Sequence, residues 1–112
     1  RDPAIRQRIA DAWVGLQGLR YNGLRMLEED TSSTTVRPEA LIYKYAWSNW
    51  HRELGQLAMD VIGVAGDVRS DDDAVRRLQQ VFFFSRADTI YAGTNEIQLN
   101  IIAERGLGMP RA

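Results

Sequence analysis

The chain has 112 residues, about the size of one domain. Its 45% apolar and 26% charged residues are ordinary for a globular fold and argue against disorder. The net charge of -1, from 14 basic and 15 acidic side chains, removes the electrostatic case for nucleic acid or for an anionic membrane surface.

With no cysteine, disulfide frameworks, zinc ribbons and thiol nucleophiles are excluded and a reducing compartment is permitted. A cytoplasmic location is the expectation. The longest apolar stretch, Leu57 to Ala65, is broken by Asp60 and Gly63 and falls short of the roughly 18 residues a membrane span needs. The chain opens on Arg1 rather than Met, and no signal peptide is visible. A fragment of a longer polypeptide is therefore expected.

Asp2-Pro3 predicts a capped helix start, with proline where its missing N–H is harmless. Ile5, Ile9, Trp13, Leu16, Leu19, Gly23, Met26 and Leu27 then recur at steps of three and four. They predict one face of a helix from about residue 3 to 29, roughly 40 Å long. The hydroxyl-rich run from Thr31 to Thr35 competes for helical backbone bonds and reads as a loop. Pro38 and Glu39 predict a second start, with the stripe Ile42, Ala46, Trp50, Leu54, Leu57, Val61, Ile62 and Ala65 behind it. Two long helices on a short connection predict an antiparallel hairpin.

Gly63 and Gly66 weaken the end of that second helix. Ser70 reads as the next cap, followed by Asp71, Asp72 and Asp73 at a helix start. Val75, Leu78, Val81 and Phe82 form a third, shorter stripe. The pattern breaks near Tyr91-Ala92-Gly93-Thr94. Thr94 is placed to cap a fourth helix carrying Ile97, Ile101 and Ile102, which Gly106, Gly108 and Pro110 stop. No segment alternates with period two. The expected architecture is an all-α, up-down four-helix bundle with a short last helix.

Several side chains invite chemistry. His51 is the only histidine, and without a second histidine or a cysteine a zinc site is not supported; a structural ring beside Trp47 and Trp50 is the reading. Trp13, Trp47 and Trp50 fill a core or an interface, and Met26 and Met59 fill gaps. Asp71 to Asp73 lack the spaced ligands of a calcium loop and read as a solvated helix start. Phe82, Phe83 and Phe84 cannot all face one core, so at least one meets another domain, subunit or ligand. The stretch from Ile90 to Gln98 sets a glycine and a hydroxyl at a helix start, which is an ordinary cap or a place where a ligand approaches closely.

The run Thr89-Ile90-Tyr91-Ala92-Gly93-Thr94-Asn95-Glu96-Ile97-Gln98, continuing through Asn100 to Arg105 and closing Leu107-Gly108-Met109-Pro110-Arg111, resembles the C-terminal signature of flavin-dependent acyl-CoA dehydrogenases. Asp2 to Asp11, Pro38 to Lys44 and Leu57 to Gly63 resemble, more loosely, the helices that precede it. The resemblance thus spans nearly all of residues 1–112 and implies the C-terminal helical domain of a chain about three times longer.

It also implies FAD as cofactor, an acyl-CoA substrate oxidised to a trans-2-enoyl-CoA, an electron-accepting flavoprotein as partner, and a homo- or hetero-tetramer. Carried over residue by residue, Gly93 implies a substrate contact, and Thr94, Asn95 and Glu96 imply contacts to FAD. Gly63 belongs to a segment that touches the FAD of a neighbouring subunit in that family. There Asp60 and Val64 depart from the usual glutamine and glycine, and an aspartate beside a pyrophosphate is repulsive. Leu99 replaces a frequent arginine. Ala92 stands where many members carry the catalytic glutamate, and alanine abstracts no proton. No catalytic base is expected within these residues, so the base lies upstream, or the chain is a non-catalytic partner subunit of a mixed assembly, or a helical oligomerisation domain. The 112-residue piece alone is expected to be inactive.

Overall fold

The computed structural model describes residues 2–27 and 38–111. The predicted last turn of the first helix, at 28–29, and the loop after it lie outside the described residues.

The local start signals act where the sequence sets them. α1 (Pro3–Leu27) opens with the Asp2 carboxylate accepting the Ala4 N–H at 2.8 Å. α2 (Pro38–Ile62) begins at its proline with Glu39 in the first turn. It ends at Ile62, three residues before the apolar stripe does. Gly63 takes φ +56, a left-handed value that leaves the α-helix, and a 3-10 turn covers Gly63–Gly66.

α3 (Asp73–Asp88) is capped by Asp72, not by Ser70. The Asp72 carboxylate accepts from Ala74 N and Val75 N at 2.7 and 3.4 Å. The Ser70 hydroxyl accepts the Asp72 N–H at 3.1 Å, so it fixes the approach to the cap. Thr94 caps α4 (Asn95–Ile101) as read, accepting from Ile97 N at 3.5 Å. A single π turn, Ile102–Gly106, follows it.

The molecule is all-α with four helices, and the described residues contain no strand. The contacts give their directions. Arg8 meets Asp60, the Trp50 indole N–H donates to the Ala12 carbonyl, and Asn22 donates to the Glu39 carbonyl, so α1 and α2 run antiparallel as expected. Along the other side of α2, a side chain at Gly55 would meet Ser85, while His51 meets Asp88 and Asn49 meets Asn95. A Cβ at Gly106 would lie 3.7 Å from Leu41. α3 and α4 therefore run in the same sense, end to end along α2, with residues 89–94 as the break between them. Four helices make three rods, and α2 is the middle one. Among the described residues α1 packs on α2 alone.

This arrangement leaves a thin core. Leu41, Leu57 and Ala58 are the described apolar side chains that are buried, and α1 contributes none. The radius of gyration is 17.3 Å, against about 13 Å for a compact chain of this length. The single stripe read on α1 divides accordingly. Ile5, Leu19, Gly23 and Met26 turn partly toward α2, whereas Ile9, Leu16 and Leu27 stay exposed and Trp13 is 62% exposed. Trp13 therefore fills no core in this chain. Phe82 packs partly inward, and Phe83 and Phe84 remain 67% and 62% exposed. That matches the expectation that three consecutive rings cannot share one core.

Candidate functional site

The break between α3 and α4 is where the sequence places its most specific residues. It lies at the surface, with Ile90, Tyr91 and Ala92 exposed. Two successive residues hold positive φ, Ala92 at +54 and Gly93 at +99. A non-glycine residue in that region carries strain, which persists only where neighbours enforce it. At Gly93 two constraints agree. Its φ favours glycine, and a Cβ would come within 2.7 Å of the Gln98 amide nitrogen.

The enforcement is a set of buried polar contacts. Asp88, the last residue of α3, is fully buried. One of its carboxylate oxygens contacts Nδ1 of His51, and the other accepts the Tyr91 hydroxyl at 2.8 Å. That hydrogen bond, with some burial, raises the Tyr91 pKa above its usual 10. The His51 ring stacks between Trp47 and Trp50, at centroid distances of 6.0 and 6.2 Å. The His51 ring thus holds the buried Asp88 carboxylate, in keeping with a structural role.

Lys44 Nζ donates to the carbonyls of Asp88 and Gly93, both at 2.8 Å. The Gln98 amide, buried on α4, donates to the Ala92 carbonyl at 2.9 Å. Asn49 and Asn95 exchange amide hydrogen bonds at 2.9 and 3.3 Å, and Asn49 also donates to the Tyr45 carbonyl at 2.7 Å.

The expected ligand contacts sort differently around this frame. Gly93, Thr94, Asn95 and Glu96 come together at the turn and the first turn of α4. Gly63 does not join them. Asn49, which meets Asn95, lies about 21 Å before Gly63 along α2 at the usual helical rise. Asn95 spends its amide on Asn49. Glu96 is exposed, and hydrogen bonds from Thr94 and from its own backbone N–H hold its carboxyl below the usual range. The Ala92, Gly93 and Thr94 N–H groups make no hydrogen bond within the described residues. They are donors available to an incoming oxygen.

No group of three or more metal-ligating side chains occurs among the described residues. Asp72 caps α3 and Asp73 pairs with Arg76, so the acidic run reads as a helix start, as expected. No described helix is long and apolar enough to cross a membrane.

A family model described as "Acyl-CoA dehydrogenase, C-terminal domain" matches residues 1–107. The chain is 46% identical over 110 residues to a protein named acyl-CoA dehydrogenase IpdE1 from Mycolicibacterium smegmatis. It is 47% identical over 110 residues to the protein of that name from Mycobacterium tuberculosis. Each comparison covers 98% of this chain but 26% and 28% of the relatives, so the chain spans about a quarter of their length. No solved structure matches it.

Proposed function

Because this chain belongs to the acyl-CoA dehydrogenase family, matching its C-terminal domain over nearly the whole length, we propose that it is the C-terminal helical domain of a longer, FAD-dependent enzyme. That enzyme oxidises an acyl-CoA thioester to the trans-2-enoyl-CoA and passes electrons to an acceptor flavoprotein. The observation that carries the reading is the turn at residues 89–94, exposed at Ile90 to Ala92 and left-handed at Ala92 and Gly93, inside the segment that matches the family.

The turn's chemistry supports a role beside a thioester. Loss of an α-proton builds negative charge on the thioester oxygen, and fixed N–H donors at that oxygen lower the barrier. The unengaged N–H groups of Ala92 and Gly93 suit that task. FAD, when bound, accepts the hydride that leaves the β-carbon.

The residues fit the cofactor in part. Thr94 offers a hydroxyl that holds only a long bond to Ile97 N and the exposed Glu96 carboxylate. Glu96 suits a hydroxyl or N–H donor and repels a phosphate. Asn95 contributes by holding α4 against α2. Gly63, at the other end of α2, serves the FAD of a neighbouring subunit rather than the same one. Arg8, 2.7 Å from Asp60, offsets the negative charge there.

The proton-abstracting base comes from outside these residues. Ala92 has no titratable side chain. Asp88 is buried and committed to His51 and Tyr91, and Glu96 sits on α4 past the turn. The exposed faces of α1 and α3 support assembly into a homo- or hetero-tetramer.

The full-length polypeptide, purified from the cytoplasmic fraction, is expected to be yellow and to bleach when mixed anaerobically with its acyl-CoA. A colourless protein with no affinity for FAD overturns the reading. Ala92 favours a second reading, a subunit that completes a mixed assembly without its own base. Activity that appears only on co-expression with a partner chain supports it. The 112-residue piece alone is expected to show no turnover.

A further inference from the structure

Lys44 reaches from the middle rod into the break between α3 and α4. Its two carbonyl partners mark the two ends of that break. Asp88 closes α3, and its carbonyl is among those a helix end leaves unpaired. Gly93 immediately precedes the Thr94 cap of α4. A cation is favoured at a helix C-terminus, so one ammonium both satisfies the end of α3 and ties it to the entry of α4.

Other bonds shape the turn as well: His51 and Asn49, also on α2, hold Asp88 on its α3 side and Asn95 on its α4 side. Gln98 moves with α4, and the Tyr91–Asp88 bond joins α3 to its own continuation. Among the described residues, Lys44 is the α2 side chain that hydrogen-bonds the turn at both its ends. Its contacts bracket the two residues with left-handed backbone, Ala92 and Gly93.

We propose that Lys44 is a positioning residue: its ammonium fixes the turn at residues 89–94 so that the Ala92 and Gly93 N–H groups and Thr94 face the bound ligand. The clamp itself rests on the geometry, and its consequence for flavin rests on the function proposed above. Without the clamp the left-handed turn relaxes, and the ligand meets a mobile loop instead of a preset surface.

The test uses the full-length polypeptide with Lys44→Met, which keeps length and loses the donor, and Lys44→Arg, which keeps the charge. Leu57→Ala, a buried apolar truncation about 20 Å along α2 from Lys44, controls for lost stability. Amide hydrogen exchange over residues 89–98 reads the turn, and fluorescence titration of the apoprotein with FAD reads the ligand.

Lys44→Met is expected to speed turn exchange about tenfold and to weaken FAD binding about tenfold, with Lys44→Arg between it and wild type. Leu57→Ala is expected to lower the melting temperature at least as much and to leave both readouts near wild type. Unchanged turn exchange in Lys44→Met overturns the proposal, and so does an equal loss of FAD in Leu57→Ala. A wild-type protein that binds no FAD overturns the proposed function instead, and the exchange measurement then decides the clamp by itself.

Discussion

The two faces of α2 are held by different physics. Toward α1 the contact is shallow. Trp50 lies against Gly15 and donates to the Ala12 carbonyl, and the ion pairs Arg8–Asp60 and Arg25–Glu39 sit at the rim. α1 gives up no fully buried residue. Toward α3 and α4 the contact is close and polar, with Ser48, Ser85, Asp88, Thr89 and Gln98 buried. A close polar contact has few alternative arrangements, since each buried group requires its partner. A shallow apolar contact has many. The face that bears the turn is therefore geometrically specified, and the face that bears α1 is only held.

Four tests break or sharpen that contrast. The largest effect is expected at Asp88. Asp88→Ala strips His51 and Tyr91 of a buried partner and should cost about 3 kcal/mol in urea unfolding; a loss no larger than a surface substitution's would mean the polar face does not organise the fold.

Gly55→Ala comes next. Its Cβ would lie 2.3 Å from the Ser85 hydroxyl and 3.1 Å from the Phe82 Cα, so overpacking should cost about 2 kcal/mol. Combining it with Ser85→Ala should recover part of that.

Gly15→Ala is the matched change on the other face, with a Cβ 2.6 Å from the Trp50 ring. Because α1 can shift, and because alanine favours helix, the net change should stay within about 0.5 kcal/mol. A cost equal to that of Gly55→Ala would show the two faces to be equally rigid.

The smallest effect concerns Asp60. The hydrogen bond from Arg8, then that from Gln56, lowers its pKa below 3.8. A lowered carboxyl pKa contributes stability above the unfolded value, and that contribution disappears as pH falls through the folded value. Arg8→Ala should therefore leave the neutral-pH melting temperature nearly unchanged and remove a small part of the decline seen below pH 3.8. A large loss at neutral pH would give the α1 face a strength its geometry does not suggest.

Helix number, order and most start points were legible because their signals are local. Pro3, Pro38 and Thr94 act within a turn of where they stand. The Ser70 cap was displaced to Asp72 because both residues carry a suitable oxygen two positions apart, and sequence does not rank them. The end of α2 was set by the backbone of Gly63 rather than by the apolar stripe.

The turn at 89–94 was visible as an interruption, and the family resemblance marked Gly93 and Thr94. What holds the turn was not visible. His51 and Asp88 are 37 positions apart, and Lys44 and Gly93 are 49 apart. Nothing in either local pattern marks such partners, which are specified only once α2 and α3 lie in register. The distance of Gly63 from the turn was hidden for the same reason.

Ala92 has a consequence for how this surface can change. Its backbone already occupies the left-handed region with a Cβ attached, and that Cβ is exposed. An unbranched larger side chain at this position inherits the same backbone penalty and adds little to it. The position works as a socket: different functional groups can be mounted there while the scaffold beneath stays the same.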